Sequence, residues 1–284
     1  IRDLVFFNDR KPSINRLIKV DSSDLAKPIA NAVFEVKSVD GSYGPVELRT
    51  QDDGTISLEN LPCAPEGTAY VVTEKSCAGY VIDDAQRIIQ LHPNDKAQFT
   101  FTNSRLPQFH LLKLDSKGNP VAGASYRLSK IEDGSRYLDK VTSSTGEILW
   151  TDLEPGVYSL VETSTRNDLL LDTKEYHVEM FPGKTSEIVL ENHYRPNLYV
   201  YKFTAGKEDE PVANCVFEVR AADGHSVDEI KTNADGRAEL RNMLPGVYEI
   251  TEKSVPNDWL KDAPSQLVTL YRDRDRTAYF YDHR

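Results

Sequence analysis

Between Phe109 and Asp115 the chain reads Phe-His-Leu-Leu-Lys-Leu-Asp, an alternation of period two that predicts a β-strand. On that reading Phe109, Leu111 and Lys113 share one face, which is otherwise apolar. A lysine on the inward side of a strand is out of place, because lysine is rarely buried without a partner. The anomaly recurs twice. In Leu198-Tyr-Val-Tyr-Lys202 the lysine lines up with Leu198 and Val200, and in Leu17-Ile-Lys19 it lines up with Leu17. The spacings are 94 residues (19 to 113) and 89 residues (113 to 202), and each strand opens a segment resembling the other two. Three repeats are predicted, over residues 14–105, 106–195 and 196–284.

Within each repeat the same series follows. Repeat one has Pro28-Ile-Ala-Asn-Ala-Val-Phe-Glu-Val as a second strand, turns at Asp40-Gly41 and Asp53-Gly54, then Tyr70-Val-Val-Thr-Glu74 and a closing Phe99-Thr-Phe-Thr-Asn103. Repeat two has Pro120 to Leu128, turns at Asp133-Gly134 and Thr145-Gly146, then Gly156-Val-Tyr158-Ser-Leu-Val-Glu162 and Ile188 to Asn192. Repeat three has Pro211 to Val219, turns at Asp223-Gly224 and Asp235-Gly236, then Gly246-Val-Tyr248-Glu-Ile-Thr-Glu252 and Ala278 to Asp282. Short strands, regular turn signals and no long helical period predict an all-β fold of tandem immunoglobulin-like sandwiches in an elongated array. The proline-containing linkers Ser104–Pro107 and His193–Pro196 stiffen the joints. Residues 1–13 read as the last strand of a preceding repeat (Leu4, Phe6 and Asn8 alternate), followed by a linker from Asp9 to Ser13.

A chain of 284 residues suits two or three domains, and its formal charge of −11 argues against a nucleic-acid partner. No apolar run is long enough to span a membrane, so no membrane contact is expected of this segment. Cys63 and Cys77 flank one predicted strand and Cys215 lies far off, so three free, at least half-buried thiols are expected. The six histidines lack metal-ligand spacing, no phosphate-cradling loop or nucleophile elbow is present, and no metal or cofactor is expected. Asp273 and Asp275, alternating with arginines, read as a solvated strand or turn, and Trp150 and Trp259 as packing residues.

Laid in register, the repeats share three inward polar positions: Lys19, Lys113 and Lys202; Glu74, Glu162 and Glu252; and Asn103, Asn192 and Asp282. Lysine to glutamate spans 55, 49 and 50 residues, and glutamate to the last member 29, 30 and 30. An amine, a carboxyl and an amide buried together must satisfy one another. Desolvation frees the amine of its proton and makes it a nucleophile, while a desolvated glutamate holds a proton and polarises a carbonyl or shuttles protons. The chemistry indicated is a single reaction of the protein with itself, giving an amide between lysine and Asn or Asp, rather than turnover of a substrate. A structural ion pair is the rival, strongest at Lys202–Asp282.

Lys19-Val-Asp21 and Lys113-Leu-Asp115, the Leu-x-Pro-Gly-x-Tyr stretch leading to the glutamate, and the closing Phe-x-Asn strand resemble collagen-adhesin B-type (Cna-B or SpaA-like) domains of Gram-positive surface proteins. The resemblance implies an immunoglobulin-like sandwich in which the opening lysine bonds to the closing Asn or Asp under catalysis by the glutamate. It also implies a stalk segment of an adhesin or pilin, extracellular and joined to cell wall or pilus through regions outside this chain. Repeat three departs in having Phe203-Thr204 after its lysine and Asp282 as acceptor, and repeat two lacks the Gly79-Tyr80 of repeat one. Two other readings stand beside this one. One repeat could bind a host extracellular-matrix or cell-surface ligand, protein or glycan, or the chain could be a transthyretin-like accessory of an enzyme.

Overall fold

In the computed structural model, which describes residues 11–12, 14–132, 134 and 137–284, the alternating runs become strands, and no helix forms among those residues. By internal contacts the chain resolves into two units. One holds the first repeat with residues 149–158 and 178–186; the other holds the rest of the second repeat and the third.

The first repeat is a two-layer sandwich. One sheet centres on the opening strand Arg16–Asp21, paired with the closing strand Gln98–Asn103 and with Asp24–Pro28 and Thr55–Ser57. The facing sheet runs in the order Val46–Arg49, Val33–Ser38, Thr68–Ser76, Arg87–Leu91. Inward positions of the two sheets, among them Leu17, Phe34, Val36, Tyr70, Val72, Leu91 and Phe101, make one core, as alternation requires of a sandwich. The third repeat repeats the plan. Leu198–Thr204 pairs with Arg276–Asp282, Lys207–Pro211 and Arg237–Leu240, facing a sheet ordered Ser226–Lys231, Val216–Ala221, Gly246–Ser254, Gln266–Leu270. In the second repeat, Gln108–Asp115 lies between Glu147–Trp150 and Thr185–Asn192, and the other sheet is Tyr137–Val141, Ser125–Lys130, Gly156–Ser164, Glu175–Met180.

Opening and closing strands run parallel. Phe101 lies opposite Lys19 and Asn103 opposite Asp21, while Phe280 lies opposite Lys202 and Asp282 opposite Thr204. Lysine and acceptor are therefore diagonal neighbours on the inward face, within reach of a long side chain.

Two expectations need correction. The run from Pro28 to Val36 is not one strand: Asp24–Pro28 belongs to one sheet, Val33–Ser38 to the other, and Ile29 to Ala32 carry the chain across. A buried threonine makes that crossing. Thr50 Oγ1 donates to Ile29 O at 2.8 Å and accepts from Ala32 N at 2.9 Å, and Asn31 between them takes φ 63°. Thr142 and Thr232 do the same for Val121 and Ala124, and for Val212 and Cys215. Lys11–Pro12, expected in a linker, pairs antiparallel with Pro62–Cys63; the strand expected over Leu4 to Asn8 lies outside the described residues. Asp273 lies in an exposed turn, as expected, and there accepts hydrogen bonds from Ser116 Oγ (2.5 Å) and Tyr194 N (2.7 Å) and faces His193 Nδ1 (2.6 Å). Charge alternation along the sequence says nothing of a partner 157 residues away.

Candidate functional site

Each lysine is first fixed by its backbone. Lys19 N donates to Gly54 O and Ile29 N to Lys19 O, at 2.8 and 2.9 Å. Gly54 has φ +73°, and a Cβ there would meet Lys19 O at 2.5 Å, so the turn glycine is required for close approach as well as for its dihedral. Gly146 stands in the same relation to Lys113 O and Gly236 to Lys202 O, each at 2.4 Å. These glycines read from the sequence only as turn markers. Their opposition to the lysine is a tertiary fact.

The structure brings the nine predicted side chains into three buried clusters, none of the nine more than 4 % exposed. In the first, Lys19 Nζ donates to Asn103 Oδ1 at 2.6 Å and lies 3.0 Å from Glu74 Oε1. Asn103 Nδ2 donates to both Glu74 oxygens at 2.9 Å, and Asp83 N donates to Oε2 at 3.0 Å. The carboxylate thus touches the amine and the amide nitrogen, while the amine touches the amide oxygen. Of the two roles open to the glutamate, this geometry suits carrying a proton from Nζ to Nδ2. Phe34, cross-strand from Glu74, walls the site, its ring centroid 5.4 Å from Nζ.

The second cluster has the same members but different contacts. Glu162 accepts from Asp172 N (2.7 Å), from Asn192 Nδ2 (3.2 and 3.1 Å) and from Tyr126 Oη (3.2 Å). Asn192 Nδ2 also reaches Thr165 Oγ1 at 3.0 Å. Lys113 Nζ is 3.5 Å from Glu162 and has no hydrogen-bond partner, nor has Asn192 Oδ1. Burial, only partly offset by Glu162, lowers the pKa of Lys113 and favours its neutral amine.

In the third cluster Lys202 Nζ lies 2.6 Å from Asp282 Oδ1 and 3.0 Å from Glu252 Oε1. These are charge contacts at angles that do not make hydrogen bonds: Nζ and both Glu252 oxygens stay unbonded. The backbone donor of this repeat, Ala263 N, goes to Asp282 Oδ1 at 3.0 Å instead of to the glutamate. Burial, aided by Asp282 and opposed by Lys202, raises Glu252 to about 7.

The aspartates of the Lys-x-Asp motif, to which the sequence pattern assigns no role, anchor the end of the opening strand. Asp21 accepts from Ser23, Tyr80 Oη (3.2 Å) and Arg105 Nε (3.0 Å), and the Ser23 hydroxyl above all pulls its pKa to about 2. In repeat two, which lacks Tyr80, the linker residue Tyr194 supplies the hydroxyl to Asp115 at 2.6 Å. The three cysteines are buried thiols outside any disulfide; burial pushes Cys77 and Cys215 each up to about 11. Trp150 is buried and stacked on Phe109, and Trp259 packs against the third core. Among the described residues no group of His, Cys, Asp and Glu could hold a metal ion, and no helix is long and apolar enough to cross a membrane.

One surface distinguishes the third repeat. Tyr201, Phe203, Tyr279 and Tyr281 form a rank on the outward face of its opening and closing strands, with Tyr201 stacked on Phe203 and Tyr279 at 6.1 and 5.7 Å between centroids. The matching positions are Ile18, Val20, Thr100 and Thr102 in repeat one, and Leu112, Leu114, Val189 and Glu191 in repeat two.

No curated protein matches the chain in sequence. Among solved structures it is similar to the Bacillus anthracis TIE protein, with 20% identity, TM-score 0.41, and coverage of 96% of this chain and 51% of that one; this chain spans about half the length of that protein. It is also similar to a streptococcal ancillary pilin (16% identity, TM-score 0.39, 95% and 98% covered) and to BcpA, the major pilin subunit of Bacillus cereus (13%, 0.37, 96% and 99%). The SpaA prealbumin-like fold domain matches three times, over residues 14–105, 107–194 and 200–283, and each match holds one buried lysine, its glutamate and its Asn or Asp. The chain therefore belongs to the family of SpaA prealbumin-like fold domains.

Proposed function

We propose that the chain is a structural stalk segment of a Gram-positive surface adhesin or pilin, in which each repeat closes itself with a lysine to Asn or Asp isopeptide bond. The observation that carries this is the first cluster: amine on amide oxygen at 2.6 Å, glutamate between amine and amide nitrogen, all three out of solvent. Lys19 passes a proton to Glu74 and the freed lone pair adds to Asn103 Cγ, after which its nitrogen sheds a second proton. The C–N bond to Nδ2 breaks as Glu74 returns the first proton, and the leaving ammonia carries off the second as ammonium. In repeat three the carboxyl of Asp282 loses water instead. Held reactants of this kind can remove about 7–11 kcal/mol of barrier.

The bonds would close loops of 84, 79 and 80 residues (19 to 103, 113 to 192, 202 to 282), each stabilising by about 4–5 kcal/mol on the chain-entropy argument. An amide, unlike a disulfide, resists reduction. Tying the first strand to the last lets tension between the ends of a repeat bypass most of its sandwich, which fits a wall-anchored, extracellular spacer with no substrate to turn over. The test is intact mass. The purified chain should lack two ammonias and one water, and Glu74→Ala, Glu162→Ala and Glu252→Ala should each restore one loss. A full, undiminished mass would sink the reading.

The aromatic rank of repeat three supports a second reading, in which that repeat also binds a host protein or glycan. Clustered rings found in one sibling alone, two exposed and two half-buried, are how such a surface looks.

A further inference from the structure

Repeats one and three place a phenylalanine directly across from the glutamate: Phe34 faces Glu74 and Phe217 faces Glu252. At the same place in the series, six residues beyond the repeat's proline (Pro28, Pro120 and Pro211), repeat two has Tyr126. Its ring takes the phenylalanine's place, with its centroid 5.8 Å from Lys113 Nζ, while its hydroxyl donates to Glu162 Oε1 at 3.2 Å. That is the same oxygen that Lys113 approaches, at 3.5 Å against 3.0 Å for the lysine–glutamate pairs of both siblings. A third difference lies at the residue three after the glutamate. Cys77 and Val255 become Thr165, whose oxygen accepts from Asn192 Nδ2 and helps turn the amide nitrogen away from the amine's side. The outcome is a cluster in which the carboxylate is saturated with donors, while amine and amide oxygen are left with none.

We propose that Tyr126 is a positioning residue that restrains cross-linking in repeat two, by occupying Glu162 Oε1 and keeping Lys113 off it. This rests on the isopeptide reading above and specifies the regulation of one of its sites. To act, Glu162 must take a proton from the Lys113 nitrogen. The phenol already fills a lone pair of the oxygen that would accept it. The groups that face Glu162 are Lys113 from the opening strand, Tyr126 from Ser125–Lys130, Asn192 from the closing strand and the backbone N–H of Asp172. The Asp172 carboxylate is itself held by Tyr176 Oη at 2.7 Å, and Glu191 adds a more distant negative charge near Lys113. Of these donors the phenol alone is absent from both siblings, so its removal brings repeat two toward the arrangement of repeat one, with Thr165 left as the remaining difference.

The experiment follows the full chain after pulsed cell-free synthesis. It measures the branched peptides Lys19–Asn103 and Lys113–Asn192 by mass spectrometry in the same molecules. In the wild-type chain the second branch should lag the first. Tyr126→Phe should speed it by about tenfold, the scale of one hydrogen bond to a charged group, and Phe34→Tyr should slow the first branch comparably. The reciprocal slowing of the first branch by Phe34→Tyr is an effect that a purely structural role of Tyr126 would not produce. Phenylalanine is the siblings' own residue, so folding is preserved. If the first branch forms and the second is neither slower in wild type nor faster in Tyr126→Phe, this inference fails alone. If no branched peptide forms in any repeat, it falls together with the isopeptide reading.

Discussion

The first and third repeats hold their lysines in the same backbone frame, glycine carbonyl on one side and crossing strand on the other, yet surround the amines with different chemistry. Around Lys19 there is one carboxylate, and the hydrogen bonds among amine, acid and amide close on one another. Around Lys202 there are two carboxyls, neither oxygen of Glu252 has a donor, and the one backbone N–H has moved to Asp282. A satisfied polar cluster is stable before any bond forms. An unsatisfied one is strained toward protonation or reaction, as buried charges without full partners are.

The largest effect that would break this contrast comes from deleting the amine. Lys202→Met leaves two buried acids facing each other, whereas Lys113→Met leaves a neutral amide and a carboxylate with donors of its own. Both variants lose any cross-link, so the difference isolates the charge. At pH 8 the third repeat should lose about 3 kcal/mol more than the second, measured by hydrogen exchange under denaturant. Equal losses would mean that the hydrogen-bond inventories do not matter.

A smaller effect lies in pH. With Glu252 raised to about 7 from its ordinary range, its proton is kept below that value and released above it. In repeat three the protonated acid acts by polarising the Asp282 carbonyl rather than by taking the lysine's proton, so the Lys202–Asp282 branch should form fastest on the acid side and slow progressively as pH climbs through about 7. Stability of the unlinked third repeat follows the same sign: the contribution of the protonated acid is complete at low pH and lost as pH rises through 7. A rate flat from pH 6 to 8 would contradict the assignment. The smallest structural effect belongs to the aromatic rank. Tyr201→Ser with Tyr279→Ser should leave the unfolding of all three repeats and all mass losses within error, while weakening retention of the chain on host-cell surfaces. Unchanged retention would remove the second reading.

Much of this was legible from residue order because strand alternation reports face directly. A lysine in phase with Leu198 and Val200, or a glutamate in phase with Tyr158 and Leu160, has to point inward, and the structure places them there. What stayed hidden was whatever depends on a partner far along the chain. Thr50, Thr142 and Thr232 look like ordinary turn-edge threonines until their hydroxyls are seen bridging the crossing from one sheet to the other. Nothing in the strand pattern marks Tyr126, since period two distinguishes inside from outside but not a phenol from a phenyl. The swap of Tyr80 for Tyr194 beneath the Lys-x-Asp aspartates likewise joins residues that no local pattern connects.

The sulfur atoms carry a consequence of their own. With thiol values near 11, Cys77 and Cys215 present roughly one thiolate in ten thousand at neutral pH, and the thiolate is the form that oxidants and disulfides attack. Each cysteine is therefore sealed filler, and a medium harsh enough to scramble exposed thiols would leave these two as they are.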